Sequence, residues 1–372
     1  MRIMHLGDLH IGKTLNQQSL LNEQSQLLDE LVKQVEALCV DIIVIAGDIY
    51  DRSIPSKEAM GIYETFIYNL NQKLQKPVLI ISGNHDSPER LGHGKAWMKM
   101  LNLYISTSIE DAFVPVSIDN IDFYLVPFIE PATARLYFED DTIKTHHDTY
   151  QAIINRIEER INNAKLNIMV SHLFVSGGNT TDSEREISVG AIENVHLDLF
   201  KSFDYVMLGH LHTPDAIKDD KVFYSGSIMK YSFDEVHQRK GFRIFDTEEK
   251  SVQFIPLNPP RNLEYAEGTY DDAINKSLGV SQDSYLKFEL SNMGHVTEPM
   301  FKLKQIYPYL LELKHKTEKL KIEYQQKEVQ YLSQTELVKQ FYFDMTDEPL
   351  NDVQQELIDL LINESRMNDE TD

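Results

Sequence analysis

Hydrophobic positions along the chain fall into two alternating rhythms. Short, fully apolar runs read as buried strands: Ile3-Met4-His5-Leu6, Ile42 to Ala46, and Val78 to Ile81. Between them, amphipathic stretches around Leu20, Leu27, Leu28, Leu31, Val35 and Leu38, and from Lys57 to Leu74, read as helices. Strand, helix, strand, helix, strand with continuous Val/Ile runs predicts a sheet covered by helices. Residues 102–128 carry short alternating runs expected to form hairpin strands, and residues 131–148 read as irregular. A helix is predicted over Tyr150–Ala164, then strands at Asn167–Ser171, Asp204–Gly209 and Val222–Tyr224. Gly241–Asp246 and Val252–Leu257 are expected as edge strands.

Pro259-Pro260 marks a boundary. Beyond it, alternation over Tyr285–Leu290, a short helix through Met300, Leu303 and Ile306, and a strand over Tyr309–Leu313 predict a small α/β domain. Residues 314–330 are rich in Lys, Glu and Gln and read as a linker or exposed helix. Two helices are expected to close the chain. Ser333-Gln-Thr-Glu336 is a capping box opening one, and Leu350, Val353, Leu357, Leu360 and Leu361 lie on one face of the other. The expected divisions are 1–258, 259–320 and 321–372.

Composition narrows the class. The 372 residues, 42% hydrophobic, suffice for two or three globular domains. A single cysteine, Cys39, gives no disulfide framework, and the first residues enter a strand without a signal-peptide layout. With no apolar run long enough to span a bilayer, the expectation is a cytoplasmic protein. The net charge of −23 excludes a surface that binds nucleic acid everywhere, because phosphate neutralisation needs Lys and Arg. Part of the excess is local: residues 344–372 hold ten acids and one base.

The chemistry lies where the apolar runs stop. Asp8 and His10 follow the first, Gly47-Asp48 the second, and Gly83-Asn84-His85-Asp86 the third; His172 ends another, and Gly209-His210-x-His212 follows a fifth. Open α/β sheets bind ligands at such strand ends. Two carboxylates, an amide and four imidazoles exceed the needs of one cation and suit two, with Asp48 the natural bridge. Two divalent ions about 3.5–4 Å apart clamp the attacking and leaving oxygens of a phosphoryl displacement. A lone Asp-x-His or Gly-Asp is commonly a surface or turn pair; all five motifs in this order are not. His85 suits proton transfer near neutral pH, and Asp86 either orients it or caps the turn. Trp97 reads as core or interface, His146 and His147 as solvated, and His5 and Cys39 as packed.

This motif set resembles the calcineurin-like metallophosphoesterase superfamily over roughly residues 1–257. Within it the chain is similar to the SbcD-type nucleases, on three further stretches: Ser87-Pro-Glu-Arg90-Leu91; Ser183-Glu-Arg185 with Val189-Gly190; and Tyr224-Ser-Gly226-Ser227 through Tyr231-Ser-Phe233-Asp-Glu235 to Lys240-Gly241. These stretches are not needed for a metal site. The resemblance implies an α/β sandwich of two sheets flanked by helices, with a small α/β capping (DNA-recognition) domain and a helical, partner-binding C-terminal region. It implies one metal on Asp8, His10, Asp48 and His212, a second on Asp48, Asn84, His172 and His210, and manganese as the ion. It assigns His85 to protonating the leaving oxygen or steadying the transition state. Arg90, Ser183 and Arg185 become candidate contacts to DNA. Some relatives carry a second catalytic histidine where this chain has Asp51-Arg52.

The implied activity is 3′-to-5′ exonuclease action on duplex ends and endonuclease action on single strands and hairpins. It serves replication, recombination and end repair. The implied partner is an SbcC-type ABC ATPase with a long coiled coil, on which the last two helices dock, in a heterotetramer containing a homodimer of this chain. Two other readings stay open: a phosphatase or cyclic-nucleotide phosphodiesterase on the same metal site, and a metal-free scaffold.

Overall fold

The computed structural model describes residues 1–175, 194–316, 333–346 and 349–369. The first sheet contains β1 (Arg2–Leu6), β2 (Ile42–Ala46), β3 (Val78–Ile81) and β4 (Leu103–Ser106). The second contains β5 (Val116–Ile118), β6 (Ile121–Val126), β7 (Leu166–His172), β8 (Tyr205–Gly209) and β9 (Val222–Tyr224). Two later strands, β10 (Gly241–Asp246) and β11 (Ser251–Pro256), return to the first sheet. Strand orders are β11-β10-β1-β2-β3-β4 and β9-β8-β7-β6-β5. β1 to β4 are mutually parallel, as are β6 to β9, so within each sheet these strands end on one edge.

Every residue of β2 and β3 is buried because both faces of the sheet are covered. Ile42, Val44 and Ala46 share one core with Ile168, Val170 and Met207 of the facing sheet. The alternate residues Ile43 and Ile45 pack in another with Leu27, Leu28 and Leu31 of helix α1 (Leu21–Ala37). On the far side, Met169 and Leu208 pack with Ile153, Ile154 and Ile157 of helix α2 (His146–Glu158). The period-2 split of one apolar run between two cores makes the helix–sheet–sheet–helix sandwich. This is the α/β two-sheet class expected.

Several expectations are corrected. Leu103–Ser106 is a parallel strand of the first sheet; the hairpin is β5–β6 alone. Residues 131–148 are not irregular throughout: Pro131–Phe138 is helical with Pro at its start, and α2 begins at His146. A capping box between Thr145 and Asp148 sets that start, and it turns His146 into the core against Phe128 and Tyr150. β10 is internal, paired to both β1 and β11, so of the two strands expected at an edge β11 alone lies there, and β4 forms the opposite edge. Cys39 is exposed, in left-handed backbone at the end of α1. Trp97 is 78% exposed and so is not core. His5 is packed, its Nε2 donating to the Leu208 carbonyl at 3.1 Å; burial, then Arg243, hold its ring neutral and its pKa down to about 3.

A parallel three-stranded sheet, Leu263–Thr269, Tyr285–Ser291 and Leu310–His315, has its own core around Leu286, Phe288, Leu290 and Leu303. Its first strand was not foreseen, since Glu264 and Glu267 interrupt the apolar run. Leu263 and Tyr285 also enter the core beneath α1, and Arg261 bridges the two, paired with Glu23 at 2.7 Å and stacked on Tyr309. Residues 1–316 form one compact unit and 317–372 a second. The described part of the second is two helices, Gln334–Thr346 and Asp352–Asp369, the first opened by the expected Ser333/Glu336 capping box.

Glycine is required where the sheets meet. A Cβ on Gly209 would overlap the Ala46 carbonyl, whereas one on Gly61, on an exposed helix face, would meet nothing. Gly209→Ala should therefore lower stability by about 3 kcal/mol or more, as overpacking against backbone does. Gly61→Ala should leave it equal or raise it by about 0.5–1 kcal/mol. Urea unfolding of both variants checks the contrast.

Candidate metal centre

The sandwich brings the strand ends of both sheets to one place. Asp8 and His10 come from the turn after β1, Asp48 from after β2, Asn84 and His85 from after β3, His172 from the end of β7, and His210 and His212 from after β8. Asp8, His10 and His212 each offer a ligand atom within 4.8 Å of the others; so do Asp8, Asp48 and His172. Asn84 Oδ1 lies 2.9 Å from His172 Nε2 and 3.3 Å from His210 Nδ1. Asp48 Oδ2 sits between the two groups, 3.5 Å from His10 Nε2 and 3.4 Å from His172 Nε2. All seven side chains thus converge, with the Asp48 carboxylate between the two groups.

The local backbone is unusual. Asp8, His10, Asp48 and His210 all have positive φ, at 52°, 42°, 50° and 101°. Such conformations cost on the order of 1–3 kcal/mol each and persist where neighbours over-determine them. Here Asp8 N donates to Gly47 O and His10 N to Asp48 O, while His210 N donates to Asp8 Oδ1 at 2.9 Å. Gln24, buried on the apolar face of α1, donates to the carbonyls of Leu9 and His10 and accepts from Gly12 N. The Tyr231 hydroxyl donates to Leu9 O. The loop carrying Asp8 and His10 is therefore held from both sides.

The donor set fits divalent cations. His10 Nε2 and His212 Nε2 face each other at 3.1 Å, both buried. Two imidazole nitrogens pointing at one spot, beside two carboxylates and an amide oxygen, make a cation site. Electrostatics agree. Burial opposes ionisation of Asp48, but His172 and His10 override it and hold the carboxyl well below its usual range. Burial opposes a charged His172 ring, and the Asp48 carboxylate draws it up to about 9. A divalent ion held by His172 would take the place of the proton that charges its ring. Asp8 is pushed up to about 6 by burial, against the pull of His172 and His212. Burial holds His210 down to about 3, leaving its ring neutral and able to ligate.

His85 stands at the edge of this cluster, half-buried, its ring edge-on to His10 at 4.7 Å. Its Nδ1 donates to the Asp51 backbone carbonyl at 2.9 Å and its backbone N to Asp48 Oδ1. Nε2 is the ring nitrogen not engaged by that carbonyl. Asp86 does not perform the orientation considered for it. Its carboxylate accepts from the backbone N–H groups of Ile49, Tyr50 and Gly83, fixing the Asp48 turn to the His85 turn. Arg90 is exposed, in the short helix that Ser87 caps. Ser183 and Arg185 lie outside the described residues. Asp51, at the departure from the family pattern, pairs with Lys13 at 2.9 Å and lies 3.8 Å from His10 Nδ1.

Sequence reasoning treated the Tyr231–Gly241 stretch as unrelated to the metal site. Instead Glu235 is wholly buried beneath it, with Oε1 3.0 Å from His212 Nδ1 and Oε2 2.6 Å from Lys240 Nζ. Gln24 also went unnoticed, although it occupies a position on the apolar face of α1, four residues after Leu20. A polar residue at an apolar register was the available signal.

Residues 1–214 match the family described as calcineurin-like phosphoesterase, and the chain belongs to that family. Its members hydrolyse phosphoesters with divalent metals, the chemistry this donor set fits. Among solved structures, the chain is similar to GAP50, the anchor in the inner membrane complex of Plasmodium, at 13% identity over 71% of this chain and 91% of that one, TM-score 0.39. It is similar to YfcE, a phosphoesterase from E. coli, at 13% identity over 69% and 100%, TM-score 0.29. A dimetal phosphatase from Danio rerio matches at 14% identity over 66% and 91%, TM-score 0.38. Among the described residues no helix is long and apolar enough to cross a membrane.

Asp86→Ala would strip the acceptor from three backbone N–H groups. An unsatisfied buried donor costs about 1–3 kcal/mol, so metal-free protein should lose about 3 kcal/mol or more in urea unfolding. An unchanged midpoint would show that water replaces the carboxylate.

Proposed function

We propose that this phosphoesterase is a metal-dependent DNA nuclease of the SbcD type, cutting duplex ends from the 3′ side and single strands and hairpins internally. The observation that carries the reading is Glu235 under His212. One of the three segments that carry the resemblance to that nuclease branch forms part of the support of the metal centre, which ties the branch resemblance to the chemistry. Lys13 and Arg52 both pair with Asp51, whose carbonyl holds His85, and so put two cations near His85 on an otherwise acidic chain; Arg90 is exposed on the short helix that follows. They offer the local phosphate contacts that a net charge of −23 denies elsewhere.

Asp8, His10, Asp48 and His212 would hold one ion; Asp48, Asn84, His172 and His210 the other; manganese suits such mixed O/N sites. When bound, the ions supply Lewis acidity toward phosphate oxygens and lower the pKa of the attacking water. His85, steered by the Asp51 carbonyl, would as the imidazolium give its Nε2 proton to the departing 3′ oxygen and return to the neutral ring, or bond the transition-state phosphate. Asp86 keeps His85 and Asp48 in register through the backbone. Gln24 and Tyr231 hold Asp8 and His10 in their left-handed turn.

The C-terminal helices would dock on the coiled-coil base of an SbcC-type ATPase. Leu337 and Phe341 are exposed on the first, and Val353, Leu357, Leu360 and Leu361 on the second, an apolar stripe suited to a helical partner. Chains of this type pair within such assemblies, and a homodimer is included in the proposal.

Linear duplex and hairpin DNA, incubated with Mn²⁺ and with or without the ATPase partner, test the activity. Wild type should cut both; Asp48→Ala should lose cleavage, and His85→Gln should lose at least about 100-fold, the usual contribution of a general acid. Hydrolysis of p-nitrophenyl phosphate without DNA cleavage would favour a phosphatase, and equal cleavage by Asp48→Ala would sink the proposal. Separately, deleting residues 330–372 should abolish co-purification with the ATPase while bis-p-nitrophenyl phosphate hydrolysis stays within about twofold, since independent sites behave additively. Loss of both would make the tail part of the catalytic fold.

A further inference from the structure

The buried Glu235–Lys240 pair has no evident stabilising purpose. Taking two charges out of water roughly cancels their attraction, and apolar replacements of such pairs are often neutral or better. Both groups are fully satisfied in a way that centres on one residue. Lys240 Nζ reaches Glu235 Oε2 and donates to the His212 carbonyl, Ser227 Oγ and Gln238 Oε1, each of these three at 2.9 Å. Glu235 Oε2 also accepts from Tyr231 N at 3.1 Å, while Oε1 meets the His212 ring at 3.0 Å and accepts a longer bond from Ser232 Oγ at 3.4 Å. Ring and backbone of His212 are thus gripped by the same ion pair, and the ring is further walled by Tyr231 at 5.6 Å.

His172, in the other half of the centre, is held differently. His172 Nδ1 donates to a neutral backbone carbonyl, that of Ala46, at 2.8 Å. A carboxylate behind a histidine fixes its tautomer and raises its basicity as a ligand more than a carbonyl does. We propose that Glu235, with Lys240 as its counter-ion, is a positioning residue that makes the Asp8/His10/Asp48/His212 position the tighter of the two metal positions. This rests on the metal-ligand roles given above, and it makes the two halves of the centre electronically unequal. The Asn84/His172/His210 half becomes the one that exchanges its ion.

The test is Mn²⁺ binding by the full-length protein, read from the electron paramagnetic resonance signal of free Mn²⁺, beside a thermal melt without metal. Glu235→Gln with Lys240→Met removes both charges together and leaves an amide oxygen facing His212 Nδ1. Glu235→Leu with Lys240→Met removes the acceptor as well. Wild type should bind two ions in two steps. Loss of a supporting partner typically weakens a metal site about 10–100-fold, so both double variants should weaken the tighter step, the Leu variant more. The weaker step should stay, and the metal-free melting midpoint should hold within a few degrees. Folded variants with the wild-type binding curve would overturn the proposal, as would variants that fail to fold, because the pair would then be structural. Wild type that binds no Mn²⁺ would overturn the underlying metal reading too. Normal Mn²⁺ steps with no DNA cleavage would count against the nuclease reading alone.

Discussion

The hydrogen bond from His172 Nδ1 to the Ala46 carbonyl holds this molecule's chemistry together. It runs from the last residue of a strand in one sheet to the last residue of a strand in the other. Each sheet supplies only part of the centre, and this contact fixes the distance between the parts. It also fixes the tautomer, so that Nε2 faces Asp48 and Asn84. The contact needs sheet ends closer than side chains allow. Gly47, Gly83 and Gly209 provide the room: a Cβ on Gly47 would strike the His172 ring, one on Gly83 the Asp48 carboxylate, and one on Gly209 the Ala46 carbonyl itself.

Around that contact the protein accepts local cost. Four of the seven converging residues have positive φ, and two carboxylates share a buried space with four imidazoles. Their mutual compensation, Asp48 held low and His172 raised, is incomplete without cations. Asp8, pushed up to about 6 by burial, shows the remaining tension. A bound divalent ion would relieve it, which would couple metal binding to folding stability.

Much of the fold was legible because β2 and β3 are apolar at every position, a pattern only a doubly covered sheet produces. The seven converging residues were legible because each stands directly after such a run. What escaped reading was of another kind. Asp86 acts through backbone N–H groups, which no residue spacing reveals. Glu235 and Lys240 lie 23 and 28 residues past His212 and meet it only in three dimensions. Helix α2 began earlier than its apolar period because a capping box, not hydrophobicity, starts it. Trp97 and Cys39 were judged by residue type, and both stand exposed.

The central claim is that Asp48 bridges two metal ions between the sheets. Anomalous diffraction at the manganese edge, from crystals grown with Mn²⁺, measures this directly. The account predicts two peaks about 3.5–4 Å apart, the spacing of two-metal phosphoryl-transfer sites, with Asp48 Oδ2 touching both. A single peak, or two peaks without a shared Asp48, would contradict it.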